Sequence, residues 1–259
     1  MAFRPIDWYD TPLYYDIVFD DYTRPEAEFL EKVLKRHGRT RGRRVLEPAC
    51  GSGRLVAALA SRDFSVTGFD KNELMLRYAK KRLQTRKLKA RLFQGKLERF
   101  SVKGEYDLAH CFVSTFRYIL DEKGARSHLR CVKNALKPGG LYVLGVHLSD
   151  YDTDGCSRER WDRSRKGVHV TCNIHNWPAD RKKRIERHRC RMVVKRNGKV
   201  HKQENIWDFR AYNAKQLKAT VGAVPQLEHV ATYDMAYDID DPRELCDDQL
   251  DYVLVLRRR

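Results

Sequence analysis

The residues best suited to chemistry stand together at Val45-Leu46-Glu47-Pro48-Ala49-Cys50-Gly51-Ser52-Gly53-Arg54-Leu55. A short apolar strand ends in a carboxylate, turns through two glycines and opens a helix. Glycines let a ligand approach backbone N–H groups closely, because no Cβ intervenes. Glu47, at the carboxyl end of the strand, can bind a cationic amine. Asp70 lies seventeen residues beyond Gly53, at the end of the next strand pattern. An acid there holds two ribose hydroxyls in a doubly wound nucleotide site. Gly-x-Gly alone is weak, since any strand-to-helix turn can use it. A dinucleotide site asks for Gly-x-Gly-x-x-Gly, but the third glycine position is Val56. Glu47 would also repel a pyrophosphate. The pattern therefore suits a ligand with an amine and a ribose but no phosphate.

Such a site needs a sheet of parallel strands with helices on both faces, and the first 150 residues carry that rhythm. Apolar spacing predicts a helix over Glu26–His37, a strand at Arg44–Pro48 and a helix at Arg54–Ala60. A strand at Phe64–Phe69, a helix at Asn72–Leu83 and strands at Ala90–Gln94 and Tyr106–Val113 follow. Ser127–Leu136 reads as a helix stopped by Pro138-Gly139-Gly140, and Leu141–His147 as the fifth strand. After residue 155 the rhythm changes. Val168–Trp177, Ile185–Lys195 and Val200–Tyr212 read as three antiparallel strands, with Asn197-Gly198 as a hairpin turn. Helix Ala214–Val221 and strands Leu227–Tyr237 and Tyr252–Leu256 complete the chain. The expected fold class is α/β: a doubly wound, seven-stranded, mostly parallel sheet with an antiparallel β insertion after strand five. Residues 1–155 and 213–259 form the nucleotide-type domain and 156–212 the inserted β lid.

Composition sets outer bounds. The 259 residues are 42% hydrophobic with a net charge of +17, which excludes wholesale disorder and suits anionic partners. The charge is segregated. Residues 77–103 hold eleven bases and one acid, and residues 156–202 hold sixteen bases and four acids. Residues 1–31 and 234–251 are acidic, with eight acids each. No apolar run reaches membrane-span length, and the N-terminus has no continuous apolar stretch of the secretory kind. Seven scattered cysteines without a Cys-x-x-Cys pair read as reduced thiols, so a cytoplasmic location is expected. Cys172–His175 and His188–Cys190 are poor approximations to a zinc site, so no metal is expected.

S-adenosylmethionine has an amine, a ribose and no phosphate. Residues 45–55 resemble the first motif of the class I S-adenosylmethionine-dependent methyltransferases. Val66-Thr67-Gly68-Phe69-Asp70 resembles the second, and Asp70–Leu76 continues as that helix does. Tyr106–Phe112 resembles the fourth-strand motif, and Leu136-Lys137-Pro138-Gly139-Gly140-Leu141 the turn before strand five. The resemblance runs in order through residues 10–150. It implies a Rossmann-like fold and methyl transfer from that cofactor. It places Glu47, Ala49, Cys50, Gly51, Gly53 and Arg54 at the cofactor. Asp70 then holds its ribose, and Lys71, Met75, Cys111, Phe112 and Val113 are further cofactor contacts. The stretch Tyr15–Phe19, Asp21-Tyr22 and Glu26-Ala27 is similar to the lid helix of small-molecule N-methyltransferases, and Tyr22 joins the expected cofactor contacts. One departure stands out. The family usually has Gly-Asp after strand three, where the acid binds the adenine amine, and here the pair is Gly95-Lys96. Lysine cannot accept that bond, so adenine is expected to meet the backbone around Leu97, or the site is altered.

The implied acceptor is a small molecule with an N or O nucleophile, cupped by the β lid. His147, at the carboxyl end of strand five, is the candidate base, with Tyr15 beside it as the second catalytic candidate. Tyr15, Tyr22, Arg117 and Tyr118 are expected to line the acceptor pocket. The basic blocks leave two further readings open: an anionic acceptor, or RNA as the substrate of an RNA methyltransferase. Lys96 motivates a third, a binding protein without catalysis. Base-modifying enzymes of the amino-methylating kind carry an Asn/Asp-Pro-Pro-aromatic tetrad after strand four. Cys111-Phe112-Val113-Ser114 lacks its prolines.

Overall fold

The structure, a computed structural model, describes residues 2–102 and 105–259. Lys103, the last base of the first basic block, lies outside the described residues. The chain builds two sheets. Strands β1 (Arg4–Pro5), β2 (Arg44–Pro48), β3 (Ser65–Asp70), β4 (Arg91–Gln94), β5 (Tyr106–Cys111) and β6 (Leu136–His147) come first. Then follow β7 (Ser157–Arg165), β8 (Val168–Asn176), β9 (Ile185–Arg196), β10 (Lys199–Arg210), β11 (Leu227–Tyr233) and β12 (Asp251–Arg258). The helices are α1 (Pro12–Phe19), α2 (Thr23–His37), α3 (Arg54–Ala60), α4 (Glu73–Thr85), α5 (Glu122–Ala135) and α6 (Ala214–Gly222).

The main sheet has seven strands in the order β11-β12-β6-β5-β2-β3-β4. Only β12 runs against its neighbours. Its central strands are apolar on both faces because both are covered. Val45, Val66, Leu108, Val143 and Val253 meet Phe29, Leu30, Leu55, Leu59 and Leu76 from α2, α3 and α4. Leu46, Phe69, Ala109, Leu144 and Leu254 meet Leu129 and Val132 of α5 and Leu217 and Val221 of α6 on the other face. The alternation of Val45 and Leu46 thus divides one strand between two cores.

The second sheet has the order β1-β10-β9-β8-β7. It differs from expectation in two ways. The insertion contributes four strands, because Ser157–Arg165 pairs with β8 along its whole length. That stretch, SRERWDRSR, has one large apolar residue, so no period-2 signal announces it. Its turn, Lys166-Gly167, has φ of 48° and 73°, and Asn197-Gly198 has 48° and 71°. Both have the two positive φ values of a type I′ hairpin, but only the second carries the residues that advertise it. The fifth strand comes from the N-terminus, where Arg4 and Pro5 pair parallel with Gln203 and Glu204. Helix α1 follows that strand onto the insertion. Trp8, Ile17, Val18 and Phe19 pack on Val170, Cys172, Ile174, Cys190 and Met192. The N-terminal residues thus pack on the second sheet.

Helix α5 starts at Glu122, five residues before expectation, because the Asp121 carboxylate accepts from the Gly124 N–H at 2.7 Å and caps it. It ends at Ala135, and Leu136–Gly140 forms the irregular start of β6, where the pairing with β5 shifts register and Gly139 has φ of 79°.

Candidate active site

Strand β2 delivers Glu47 and Pro48 to a turn in which Ala49, Gly51 and Gly53 have φ of 53°, 51° and 70°. A Cβ on Gly53 would lie 2.6 Å from Cβ of Ala79, so glycine both permits the turn and lets α3 start against α4. Asp70 ends β3 beside this turn. Its Oδ2 accepts from the Gly51 N–H and its Oδ1 from the Asn72 N–H, each at 2.8 Å. Burial nevertheless raises its carboxyl above the ordinary range. Glu47 is buried, and its Oε2 has no partner among the described residues. Burial pushes its carboxyl up to about 8. The nearest ring, His110 of β5, puts Nε2 at 3.8 Å from that oxygen and is itself unpartnered. Burial lowers His110 to about 3, so it stays neutral and gives the carboxyl no countercharge; the Arg54 charge only partly offsets the burial. A buried acceptor without a partner is costly, and it fits an incoming ammonium. Residues Tyr15, Glu47, Ala49, Cys50, Gly51, Arg54, Cys111, Phe112 and Val113 line this cleft, which encloses about 40 Å³.

Tyr15 and Val113 also line a second, larger cavity of about 440 Å³ between the two sheets. His147 and Asp251 stand on its main-sheet side, directly paired across β6 and β12. Asp251 Oδ1 lies 2.6 Å from His147 Nδ1, and that bond holds the Asp251 carboxyl below the usual range. Tyr9 and Tyr118 bond through their hydroxyls at 2.9 Å. Burial pushes the phenols of Tyr9, Tyr15 and Tyr118 upward, so all three are neutral at physiological pH. Arg117 is fully buried. Its Nε donates to the Arg210 carbonyl and its Nη2 to Ser149 Oγ, each at 2.9 Å, and it pairs with Glu186. Burial raises the Glu186 carboxyl, but Arg117, His188 and Ser149 outweigh it and hold it below its usual range. The insertion side is aromatic. His188 stacks on Trp207 at 5.4 Å and Trp207 on Trp8 at 4.8 Å. Burial takes His188 down to about 4.

Not every expected residue meets the site. Met75 is fully buried under the turn, its N–H bonded to Asn72 Oδ1, and does not line the cleft. Lys71 and Lys96 are exposed at the ends of β3 and β4 and line neither space. Leu97 packs on the core beside α5, and its carbonyl lies 3.0 Å from His128 Nδ1. Arg54 lines the cleft but is tied to Glu26 in a buried ion pair. Tyr22 lines the larger cavity rather than the cleft. Arg117 and Tyr118 line the cavity as expected. Sequence reading missed Trp8, Trp161, Glu186, Trp207 and Asp251. The alternation His188-x-Cys190-x-Met192 marked an inward face of β9, and Glu186 continues it. Nothing in the sequence announced Asp251, whose role depends on the register of β12.

The same alternation turns Arg187, Arg189 and Arg191 to the outer face, away from the cavity. Among the described residues, no group of three or more His, Cys, Asp or Glu side chains could hold a metal, and no helix is long and apolar enough to cross a membrane.

Residues 45–140 match the family described as "Methyltransferase domain". A Geobacillus protein that bears the name methyltransferase is 31% identical over 147 residues, 57% of each chain. Glycine N-methyltransferase of Rattus norvegicus is 29% identical over 139 residues, 48% of this chain and 46% of the other. The chain spans about half the length of the curated relatives it matches. An S-adenosylmethionine-dependent methyltransferase from Clostridium acetobutylicum superposes with a TM-score of 0.77 at 18% identity, covering 97% of this chain and 99% of that one. A sugar N-methyltransferase from Streptoalloteichus gives 0.72 at 19%, covering 100% and 95%.

Proposed function

We propose, from the premise that this chain carries a class I, Rossmann-like methyltransferase domain, that it transfers a methyl group from S-adenosylmethionine to an amine nitrogen of a small-molecule acceptor. The observation that carries this reading is the junction of the two spaces. The glycine-turn cleft and the 440 Å³ cavity share Tyr15 and Val113, so donor and acceptor meet there. The cofactor supplies a methyl already activated on a positive sulfur, which leaves the protein mainly to align and to exclude water. Alignment is worth up to ~7–11 kcal/mol in well-oriented systems.

Each residue then has a task. Glu47 receives the cofactor's ammonium with its unpartnered oxygen, and Asp70 takes the ribose hydroxyls with the lone pairs that Gly51 and Asn72 leave open. Tyr15 roofs the junction. His147 takes the proton the amine must lose, and Asp251 steadies the resulting imidazolium. The cavity lining favours an amine over the anionic acceptor that net charge suggests. Glu26, Glu159, Glu186 and Asp251 line it against two arginines, Arg117 and Arg163. The names sugar N-methyltransferase and glycine N-methyltransferase among similar proteins agree with nitrogen as the nucleophile. A cavity of this size holds an acceptor much larger than glycine.

The test is methyl transfer from isotope-labelled cofactor to an amine panel, read by mass spectrometry. His147→Ala and Asp251→Asn should each slow transfer by roughly 10²–10⁴-fold, the range of general-base loss. Full activity in both variants would remove the base from the mechanism.

A further inference from the structure

We propose that Glu159 and Trp161 form a second cation subsite in the acceptor cavity, so that the acceptor carries two cationic nitrogens rather than one. This rests on the amine-transfer reading and names its substrate class. Four acids line the cavity; two are neutralised by arginines, and a third, Asp251, is committed to its hydrogen bond with His147. Glu26 pairs with Arg54 and Glu186 with Arg117. Glu159 has no cationic partner within ion-pair distance among the described residues, although it stands in a basic insertion.

Its carboxylate is held rather than loose. Oε1 accepts from Asn176 Nδ2 at 2.9 Å and Oε2 from Trp161 Nε1 at 3.2 Å. One bond to each oxygen leaves acceptor sites open on both. Trp161 also lines the cavity, its ring set edge-on to Phe19 at 6.0 Å. A carboxylate oriented through the edge of the Trp161 ring offers an incoming ammonium a fixed, charge-assisted partner. The strand alternates so that Glu159, Trp161 and Arg163 face the cavity, with Arg163 already paired to Asp21, while Arg158 and Arg160 do not. His147 and Asp251 serve the transferred methyl from the main sheet, whereas Glu159 belongs to β7 of the other sheet. One nitrogen is therefore served by the His147–Asp251 pair and the second by Glu159.

The test compares benzylamine with para-xylylenediamine, which adds a second ammonium to the same ring. Binding to the protein saturated with S-adenosylhomocysteine is measured by calorimetry. The diamine should bind the natural protein about tenfold more tightly. The ratio should fall to near one in Glu159→Gln and persist in Arg160→Gln, a change on the opposite face of the same strand. Equal affinities in the natural protein, absence of binding by both included, overturn the proposal, as does a ratio that survives Glu159→Gln. Methyl transfer to the diamine is followed separately. A diamine held through Glu159 but never methylated counts against the transfer reading and leaves the subsite standing.

Discussion

At the scale of single residues, Glu47 governs how the site responds to pH. Its carboxyl titrates near 8 in the folded chain against an ordinary 4.5. Between those values the folded chain keeps a proton that the unfolded chain has released, so stability falls as pH rises through this window, and the loss is complete above about 8. Glu47→Gln should flatten that part of the Tm–pH curve. Ligand binding has the opposite preference, because an ammonium needs the carboxylate. Titration with S-adenosylhomocysteine near neutrality should therefore release a proton, seen as a dependence of binding heat on buffer, and Glu47→Gln should release none. Asp70→Ala should weaken the same ligand tenfold or more, about the worth of a charge-assisted bond. Unchanged affinity would mean that Asp70 does not hold the ribose. These two acids were legible in the sequence because their meaning is local: each ends a strand beside a glycine turn. Asp251 was not, because its meaning is a register between two strands 104 residues apart.

At the scale of elements, α1 joins the two halves of the site through Asp16. This carboxylate is fully buried, accepts from Ser52 Oγ at 2.7 Å in the glycine turn, and takes the Tyr78 hydroxyl at 3.1 Å from α4. It also pairs with Arg82 of α4 and with Arg165 of β7, the latter at 2.6 Å. The glycine turn, α1, α4 and β7 thus share one anion. Asp16→Asn leaves Arg82 and Arg165 only the half-exposed Asp20 as countercharge and should cost about 3 kcal/mol, the low end for breaking a buried pair. Denaturant unfolding would measure it. Arg165→Ala, at the more open edge, should cost less. The cleft under Tyr15 is narrow, about 40 Å³, so α1 is expected to shift when a nucleoside ligand binds. Hydrogen exchange over residues 12–22 should change on ligand binding more than exchange in α5, and equal change in both would argue against a moving lid. The strands of the main sheet were readable because burial on both faces forces apolar runs. Strand β7 was not, because most of its side chains meet water and leave no apolar alternation.

At the scale of the molecule, the +17 charge resolves into faces. Arg187 and Arg191 of the insertion's outer surface answer Asp208 and Glu204 across the strands. By contrast Lys80, Lys81, Lys87, Lys89, Arg91 and Lys96, on α4, β4 and their flanks, form no ion pair among the described residues. That stripe is the one observation that favours RNA as a partner. If it binds RNA, log affinity should fall steeply with log salt, and a Lys80→Glu/Lys81→Glu variant should flatten the slope. A shallow slope in the natural protein would leave the stripe a solvated face. The sheet itself has one further consequence. Strand β12 lies between β6 and β11, yet it follows both in the chain, and it brings Asp251 to His147. Until residues 251–258 arrive, β6 lacks its outer neighbour and β11 has no strand to join. Pairings this distant in sequence form slowly, so catalytic competence should be the last property to return on refolding, lagging behind the recovery of helical signal.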